Sequence, residues 1–278
     1  MQLGDFEVDI IVDNRFLIDG GAMFGVVPKR IWQALVPADT DNLVPLDMNV
    51  LVVRSGHGTV VVDTGMGDAL SDKQRRIFGL RTPSQLLRGL QALGVSRHEV
   101  DLVLFTHLHA DHAGGAITAQ DGRWEPTFPR ARHVVQDWEW EDALSPNERT
   151  AAAYLTSHLQ LLWQRRLVEL VHGECEVYPG IKVRLTGGHC RGHQMVEIVS
   201  DHQRLACLGD LLPTAAHVRL PYIAGVDTFP LRTLEVKKEL FPMLAAEQWL
   251  LALDHDLDIK LARMVDREGS FELAVVQE

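Results

Sequence analysis

The sequence predicts an α/β fold, and three observations carry that prediction. Short apolar runs of strand length recur from Val8 to Leu253, closed by glycine, proline or acidic residues. Between several of them lie stretches with leucines at helical spacing. The run Leu102-Val103-Leu104-Phe105 passes directly into Thr106-His107-Leu108-His109-Ala110-Asp111-His112 and then into Ala113-Gly114-Gly115, which reads as strand, functional loop and helix start. In open α/β sheets, ligand groups collect at that C-terminal strand edge.

The elements follow in order. Val8 to Val12, Met48 to Val53 and Thr59 to Val62 read as strands, with Ser55-Gly56-His57-Gly58 as the hairpin turn between the last two. Asp19 to Pro28 is a glycine-rich loop whose Met23 and Phe24 are candidates for a substrate-pocket wall or for plain core packing. Val61-Val62-Asp63-Thr64-Gly65 ends a strand on an acid; Asp63 suits either a turn or an acceptor that orients a ligand histidine. Thr82-Pro83-Ser84 opens a short helix that carries Leu86, Leu87, Leu90 and Leu93 and stops at Gly94. His133 to Gln136 reads as a strand, and Asp137 begins a helix or turn. A long helix is expected over 147–171, from the spacing of Tyr154, Leu155, Leu159, Leu162, Trp163, Leu167 and Leu170. The strands Cys175 to Tyr178, Ile181 to Leu185, Val196 to Val199 and Arg204 to Leu208 come next, then a helix over Arg232 to Ala246 and a strand before His255.

Composition sets the outer bounds. The chain has 278 residues, 46% hydrophobic and 23% charged, with no low-complexity tract or linker, and reads as one domain over 1–278. A formal charge of -11 argues against a nucleic-acid partner and favours a small-molecule substrate. The N-terminus lacks a basic region followed by an apolar one, and no run approaches the roughly 18 apolar residues of a membrane span, so a cytoplasmic protein without a membrane partner is expected. Cys175, Cys190 and Cys207 lack paired metal-type spacing and read as reduced thiols.

The chemistry is concentrated in the H-x-H-x-D-H cluster. Imidazole and carboxylate donors without a thiolate favour zinc, with manganese or iron as the other candidates. Three further residues follow apolar strands in the same way: His189 after Thr186-Gly187-Gly188, Asp210 after Leu208-Gly209, and His255 after Leu253-Asp254. Singly, each has a simpler reading as a turn residue, a cap or a surface histidine. Together with the cluster, they allow one sheet edge to deliver every ligand.

This ordered set resembles the metallo-β-lactamase fold superfamily over nearly the whole chain: D-T-G after an early strand, H-x-H-x-D-H, glycine-histidine, glycine-aspartate and a late histidine. The resemblance implies a four-layer αβ/βα sandwich, two mixed sheets flanked by helices, with the metals at one edge. It implies that His107, His109 and His189 hold one metal, that Asp111, His112 and His255 hold the other, and that Asp210 bridges them. His193 would support the ligands rather than bind. Asp210, where the thiolate-bearing β-lactamases have cysteine, argues against that branch, and His109 argues against the flavodiiron proteins. Only 23 residues follow His255, too few for the helical domain of glyoxalase II, and the acidic composition argues against ribonuclease Z. The lactonase and methyl parathion hydrolase branch remains. In its N-acyl homoserine lactonases a tyrosine often follows the bridging aspartate, whereas here position 213 is proline and Tyr222 is the nearest tyrosine.

The expected activity is therefore metal-dependent hydrolysis of an ester-type bond, with a lactone favoured. Two ions about 3.5–4 Å apart can share a water and bring its pKa near neutrality, so a bridging hydroxide is the expected nucleophile. Asp111 or Asp210 would help move the proton, and His217 and Tyr222 are candidate substrate contacts. Phosphotriester or phosphodiester hydrolysis fits the same ligand set. A non-catalytic metal-binding protein is the reading from another class, and a homodimer is implied by the resemblance alone.

Overall fold

Successive residues of the central strands are buried toward opposite faces, and that alternation builds the layers. The computed structural model describes residues 1–120 and 122–276. The first half comprises β1 (Gln2–Leu3), β2 (Phe6–Asp19), α1 (Gly20–Phe24), α2 (Lys29–Trp32), β3 (Leu43–Ser55), β4 (Gly58–Val62), α3 (Asp72–Ile77), α4 (Leu86–Ala92), β5 (Val100–Leu104) and α5 (Ala110–Ala113). Then come β6 (Ile117–Gln120), β7 (Arg123–Pro126), β8 (Arg132–Gln136), α6 (Asp137–Leu144), α7 (Thr156–Gln164) and β9 (Val168–Val171). The second half comprises β10 (Cys175–Tyr178), β11 (Ile181–Leu185), β12 (Gln194–Ser200), β13 (Gln203–Cys207), α8 (Pro230–Ala246), β14 (Leu250–Ala252), β15 (Leu261–Arg267) and β16 (Ser270–Val275).

Two seven-stranded sheets result, ordered β1-β2-β3-β4-β5-β8-β9 and β10-β11-β12-β13-β14-β15-β16, with β6-β7 as a separate hairpin. Both are mixed: β4, β5, β8 and β9 run parallel, as do β13 and β14, and the other neighbours are antiparallel. On β3 to β5, Leu51, Val53, Val60, Val62, Leu102 and Leu104 face the second sheet, where they meet residues such as Ile181, Val196 and Leu205. Their neighbours Val50, Val52, Val61 and Val103 face the other way, into a core shared with Leu86 and Leu90 of α4 and Leu159 and Leu162 of α7. The outer face of the second sheet is covered by Val236, Leu240, Phe241 and Leu244 of α8. The layers are therefore helices, sheet, sheet, helix, the expected αβ/βα sandwich. Strands buried on both faces read as continuous apolar runs, which is why they were visible in the sequence. Each fully buried Val or Leu contributes about 1.5–3 kcal/mol.

Two expectations need correction. The long helix over 147–171 is only α7, because Arg166 takes a left-handed φ of 58° and the chain turns into β9, which pairs in parallel with β8. Leu167 and Leu170 keep helical spacing by coincidence; tertiary pairing overrides the local period. The glycine-rich loop starts as a helical turn, α1, because the Asp19 carboxylate caps the N–H groups of Gly21 and Ala22. Beyond His255 the chain adds β15 and β16, half-exposed strands that extend the second sheet and lack the long apolar runs that marked the others.

Candidate metal centre

Each residue of the cluster leaves the end of β5 on a backbone held from several directions. Asp63, at the end of β4, adopts a left-handed φ of 58°, an uncommon conformation for a residue with a side chain. Its carboxylate accepts from Thr106 N at 2.8 Å and Thr106 Oγ1 at 2.7 Å, and it lies 2.8 Å from His112 Nδ1. Thr64 donates from N and Oγ1 to the His112 carbonyl, at 2.6 and 2.9 Å. Glu139 Oε1 accepts from Leu108 N at 3.0 Å and from Tyr154 Oη at 3.1 Å, which fixes the peptide between His107 and His109. The Tyr154 ring packs edge-on against His109, with centroids 5.0 Å apart.

The two sheets bring the distant residues in. His189 follows β11, Asp210 follows β13 and His255 follows β14, all at the same edge as the cluster. One group of donor atoms comes from His107, His109 and His189, and another from Asp111, His112 and His255. His189 Nε2 lies 3.0 Å from His109 Nδ1, and His112 Nε2 lies 3.0 Å from His255 Nε2. Asp210 stands between the groups, with Oδ2 3.2 Å from His189 Nε2 and Oδ1 3.1 Å from His255 Nε2. Asp111 Oδ2 completes the second group at 3.6 Å from His255 Nε2.

These contacts are the wrong kind for simple hydrogen bonds and the right kind for cations. His189 Nδ1 faces Asp227 Oδ1 at 2.9 Å, His112 Nδ1 faces Asp63, and His255 Nδ1 faces the Asp47 carbonyl at 2.8 Å. Those partners are acceptors, so each Nδ1 carries a hydrogen and each neutral ring turns a lone pair inward. The facing lone pairs need a proton or a metal between them. His107 Nε2 is fully buried and has no hydrogen-bond partner among the described residues. Donor separations of 3.0–3.6 Å match the edge of a tetrahedron built on metal bonds of about 2.0–2.2 Å. The residues therefore fit a pair of divalent ions.

The electrostatics agree. Burial alone would lower all the histidines, and it holds His107 and His109 well below the usual imidazole range. At His112, burial is outweighed by the Asp63, Asp111 and Asp210 carboxylates, which hold it well above that range. At His189, burial is likewise outweighed, by Asp210 and Asp227, and its pKa is raised to about 9. Burial works to raise Asp210, but the surrounding histidines hold it well below the carboxylate range. A field that stabilises protons this strongly also stabilises a divalent cation.

His193 lies beside the centre. Its Nε2 accepts from Asp210 N at 3.1 Å and its Nδ1 is 2.6 Å from Thr186 Oγ1, so the ring braces the Asp210 backbone. Burial and the neighbouring histidines push its pKa down to about 3, consistent with a neutral acceptor. Asp227 escaped the sequence reading. It sits in an irregular loop without strand or glycine-pair punctuation, and Thr233 Oγ1 of α8 donates to its other oxygen at 2.5 Å.

A cavity of about 450 Å³ opens over the centre, where His109, Asp111, His189, Asp210 and His255 reach its surface. Its walls are mainly apolar, including Phe16, Leu17, Ile18, Met23 and Phe78. Of the candidate substrate contacts, Met23 lines this cavity. Phe24, His217 and Tyr222 pack behind the wall: Phe24 stacks between Trp32 and His217, and the His217 Nε2 bonds the Met23 carbonyl at 2.9 Å. Burial pushes the His217 pKa down to about 4. Lys237 of α8, itself buried, donates to the carbonyls of His217 at 3.0 Å and Tyr222 at 2.7 Å and so anchors this wall.

Comparison with known proteins places this geometry in context. The family model described as the Metallo-beta-lactamase superfamily matches residues 43–258. An N-acyl homoserine lactonase of Bacillus thuringiensis is 26% identical over 243 residues, covering 81% of this chain and 86% of the relative. A probable metal-dependent hydrolase from Staphylococcus aureus superposes with a TM-score of 0.89 at 28% identity, covering 100% of this chain and 99% of that one. The dizinc quorum-quenching lactonase AidC, solved with the product N-hexanoyl-L-homoserine, shares the fold with a TM-score of 0.78 at 20% identity, covering 100% of this chain and 97% of its own. Among the described residues, no helix is long and apolar enough to cross a membrane.

Proposed function

This chain belongs to the metallo-β-lactamase superfamily, and from that premise we propose that it is a dinuclear zinc-dependent hydrolase of ester-type bonds, with a lactone as its preferred substrate. One observation carries the reading: the two oxygens of Asp210 reach toward different histidine groups, at 3.2 Å from His189 and 3.1 Å from His255, as a carboxylate shared by two ions would. His107, His109 and His189 would hold one ion, Asp111, His112 and His255 the other, with manganese or iron as alternative metals. The lactonase relatives support the choice of substrate.

When bound, the two ions supply an acidified water and a Lewis acid for the substrate carbonyl. The protein's own residues do the rest. Asp63, Asp227 and the Asp47 carbonyl hold the imidazoles in one tautomer, so no reorganisation is needed as charge develops. His193 keeps Asp210 from swinging out of its shared position. Asp111, with its side chain about one-fifth exposed at the cavity floor, can take the proton from the attacking water and pass it to the leaving alkoxide. The apolar walls exclude competing water and take up an acyl chain. The three free thiols suit a cytoplasmic setting, and we propose a single domain over residues 1–278 that assembles as a homodimer.

The test is a titration of zinc or manganese into metal-free protein, with hydrolysis of a lactone, an aryl ester, a phosphotriester and a β-lactam followed in parallel. Lactone turnover that appears as the second equivalent binds is the expected result. Asp210→Ala should weaken both equivalents and Asp111→Ala only one. Preferred phosphotriester turnover would overturn the substrate assignment, and binding of a single equivalent would overturn the second site.

A further inference from the structure

The cavity wall is chemically lopsided. The Phe16 ring stands edge-on to His255 with centroids 5.5 Å apart, and Leu17, Ile18 and Phe78 carry the apolar surface onward from there. Around His109 and His189 the wall is built differently. It is made by the segment Arg149 to Ala153, whose last carbonyl accepts from Ala110 N at 2.8 Å, and by Gly225 to Thr228, where Thr228 N donates to the His189 carbonyl at 2.8 Å.

Arg149 bridges these two segments. Its Nη2 donates to the Gly225 carbonyl at 3.1 Å, and its backbone is fixed by the Asn147 side chain, which accepts from the N–H groups of Arg149 and Thr150 at 2.9 and 3.2 Å. Among the described residues lining the cavity it is the sole lysine or arginine, in a chain of net charge -11. The carboxylates that share the cavity, Asp111 and Asp210, are turned to the histidine groups. A guanidinium has five N–H donors in a rigid fork, and the Gly225 carbonyl occupies one of them. Among the described residues, no carboxylate pairs with the remaining donors, and Arg149 lines the cavity.

We propose that Arg149 is a specificity-determining residue: it receives a carbonyl-type oxygen, from a carboxylate or an amide, on the part of the substrate that is not hydrolysed. The proposal rests on the hydrolase reading above and deepens it. It orients the substrate, with its polar end at Arg149 on the His109 and His189 side and its apolar tail along Phe16, Leu17, Ile18 and Phe78. A planar fork matches such oxygens in geometry as well as charge, which an ammonium does not.

The experiment uses three esters with the same apolar tail that differ at one position beyond the reacting group: carboxylate, primary amide or methyl. Metal-loaded wild type, Arg149→Gln and Arg149→Lys are compared by kcat/KM, and non-hydrolysable analogues of the three are titrated calorimetrically. Wild type should favour the acceptor-bearing compounds over the methyl compound by about tenfold, the size of one charge-assisted hydrogen bond. Arg149→Gln, which keeps a donor for Gly225, should lose that ratio in both assays, and Arg149→Lys should keep part of it for the carboxylate alone. An unchanged ratio in Arg149→Gln, or no preference in wild type, would overturn the proposal and leave Arg149 as a tie between loops. If wild type hydrolyses none of the esters, the hydrolase reading fails, and the calorimetric ratios still decide the role of Arg149.

Discussion

Asp227 Oδ1 lies 2.9 Å from His189 Nδ1, and Asp63 Oδ2 lies 2.8 Å from His112 Nδ1, so one buried carboxylate stands behind each histidine group. The two acids are not equivalent in what holds them. Asp63 is fixed within its own strand-end turn and by Thr106, whereas Asp227 depends on Thr233 from α8.

That pairing predicts separable defects. Asp227→Ala should weaken binding of the metal proposed at His107, His109 and His189 by about 10- to 100-fold, and Asp63→Ala should weaken that proposed at Asp111, His112 and His255 by a similar factor. Competition with a chromophoric chelator reads the two equivalents separately. Loss of both equivalents from either single variant would mean that the acids support the fold rather than individual ligands.

Lys237 predicts a pH-dependent stability. Burial pushes its pKa down to about 7 from an ordinary value of 10.5, so between those values the unfolded chain binds the extra proton and the folded one does not. Stability contributed at this position therefore rises as pH increases from about 7 toward 10.5, and is lost as pH falls through the folded value. Urea unfolding of wild type and Lys237→Met at several pH values should show wild type gaining stability relative to the variant across that window. Parallel curves would place the charge of Lys237 outside the folding equilibrium.

Gly115 predicts a packing constraint at the centre. Its N–H bonds the Gly65 carbonyl at 2.9 Å, and a Cβ there would collide with the Thr64 carbonyl, on the same residue whose N–H and hydroxyl hold His112. Gly115→Ala should cost about 1–3 kcal/mol of stability, the usual range for overpacking. It should also weaken binding of the metal proposed at His112. Thermal unfolding with and without metal checks both, and a variant as stable as wild type in each state would show that the turn yields without strain.

The sequence by itself determined the layered α/β architecture and the places where histidines and aspartates follow buried strands. Strands such as Val60 to Val62 and Leu102 to Leu104 are buried on both faces and so stay apolar throughout, and each candidate ligand follows an apolar run within a few positions. Those signals are local, and local chemistry can be read along a chain. Only the tertiary structure decided what stands behind and around the centre. Asp227 meets His189 across 38 residues, the Asp47 carbonyl meets His255 across 208, and Glu139 reaches Leu108 across 31. The same holds for His217 and Tyr222, which α8 draws behind the wall, and for Arg149, which the loop at Gly225 brings to the rim. The helix expected over 147–171 failed for the same reason: pairing of β9 with β8 outweighed a local periodicity. A hydrogen bond between distant residues leaves no period and no spacing in the sequence, because its geometry exists only after the sheets have packed.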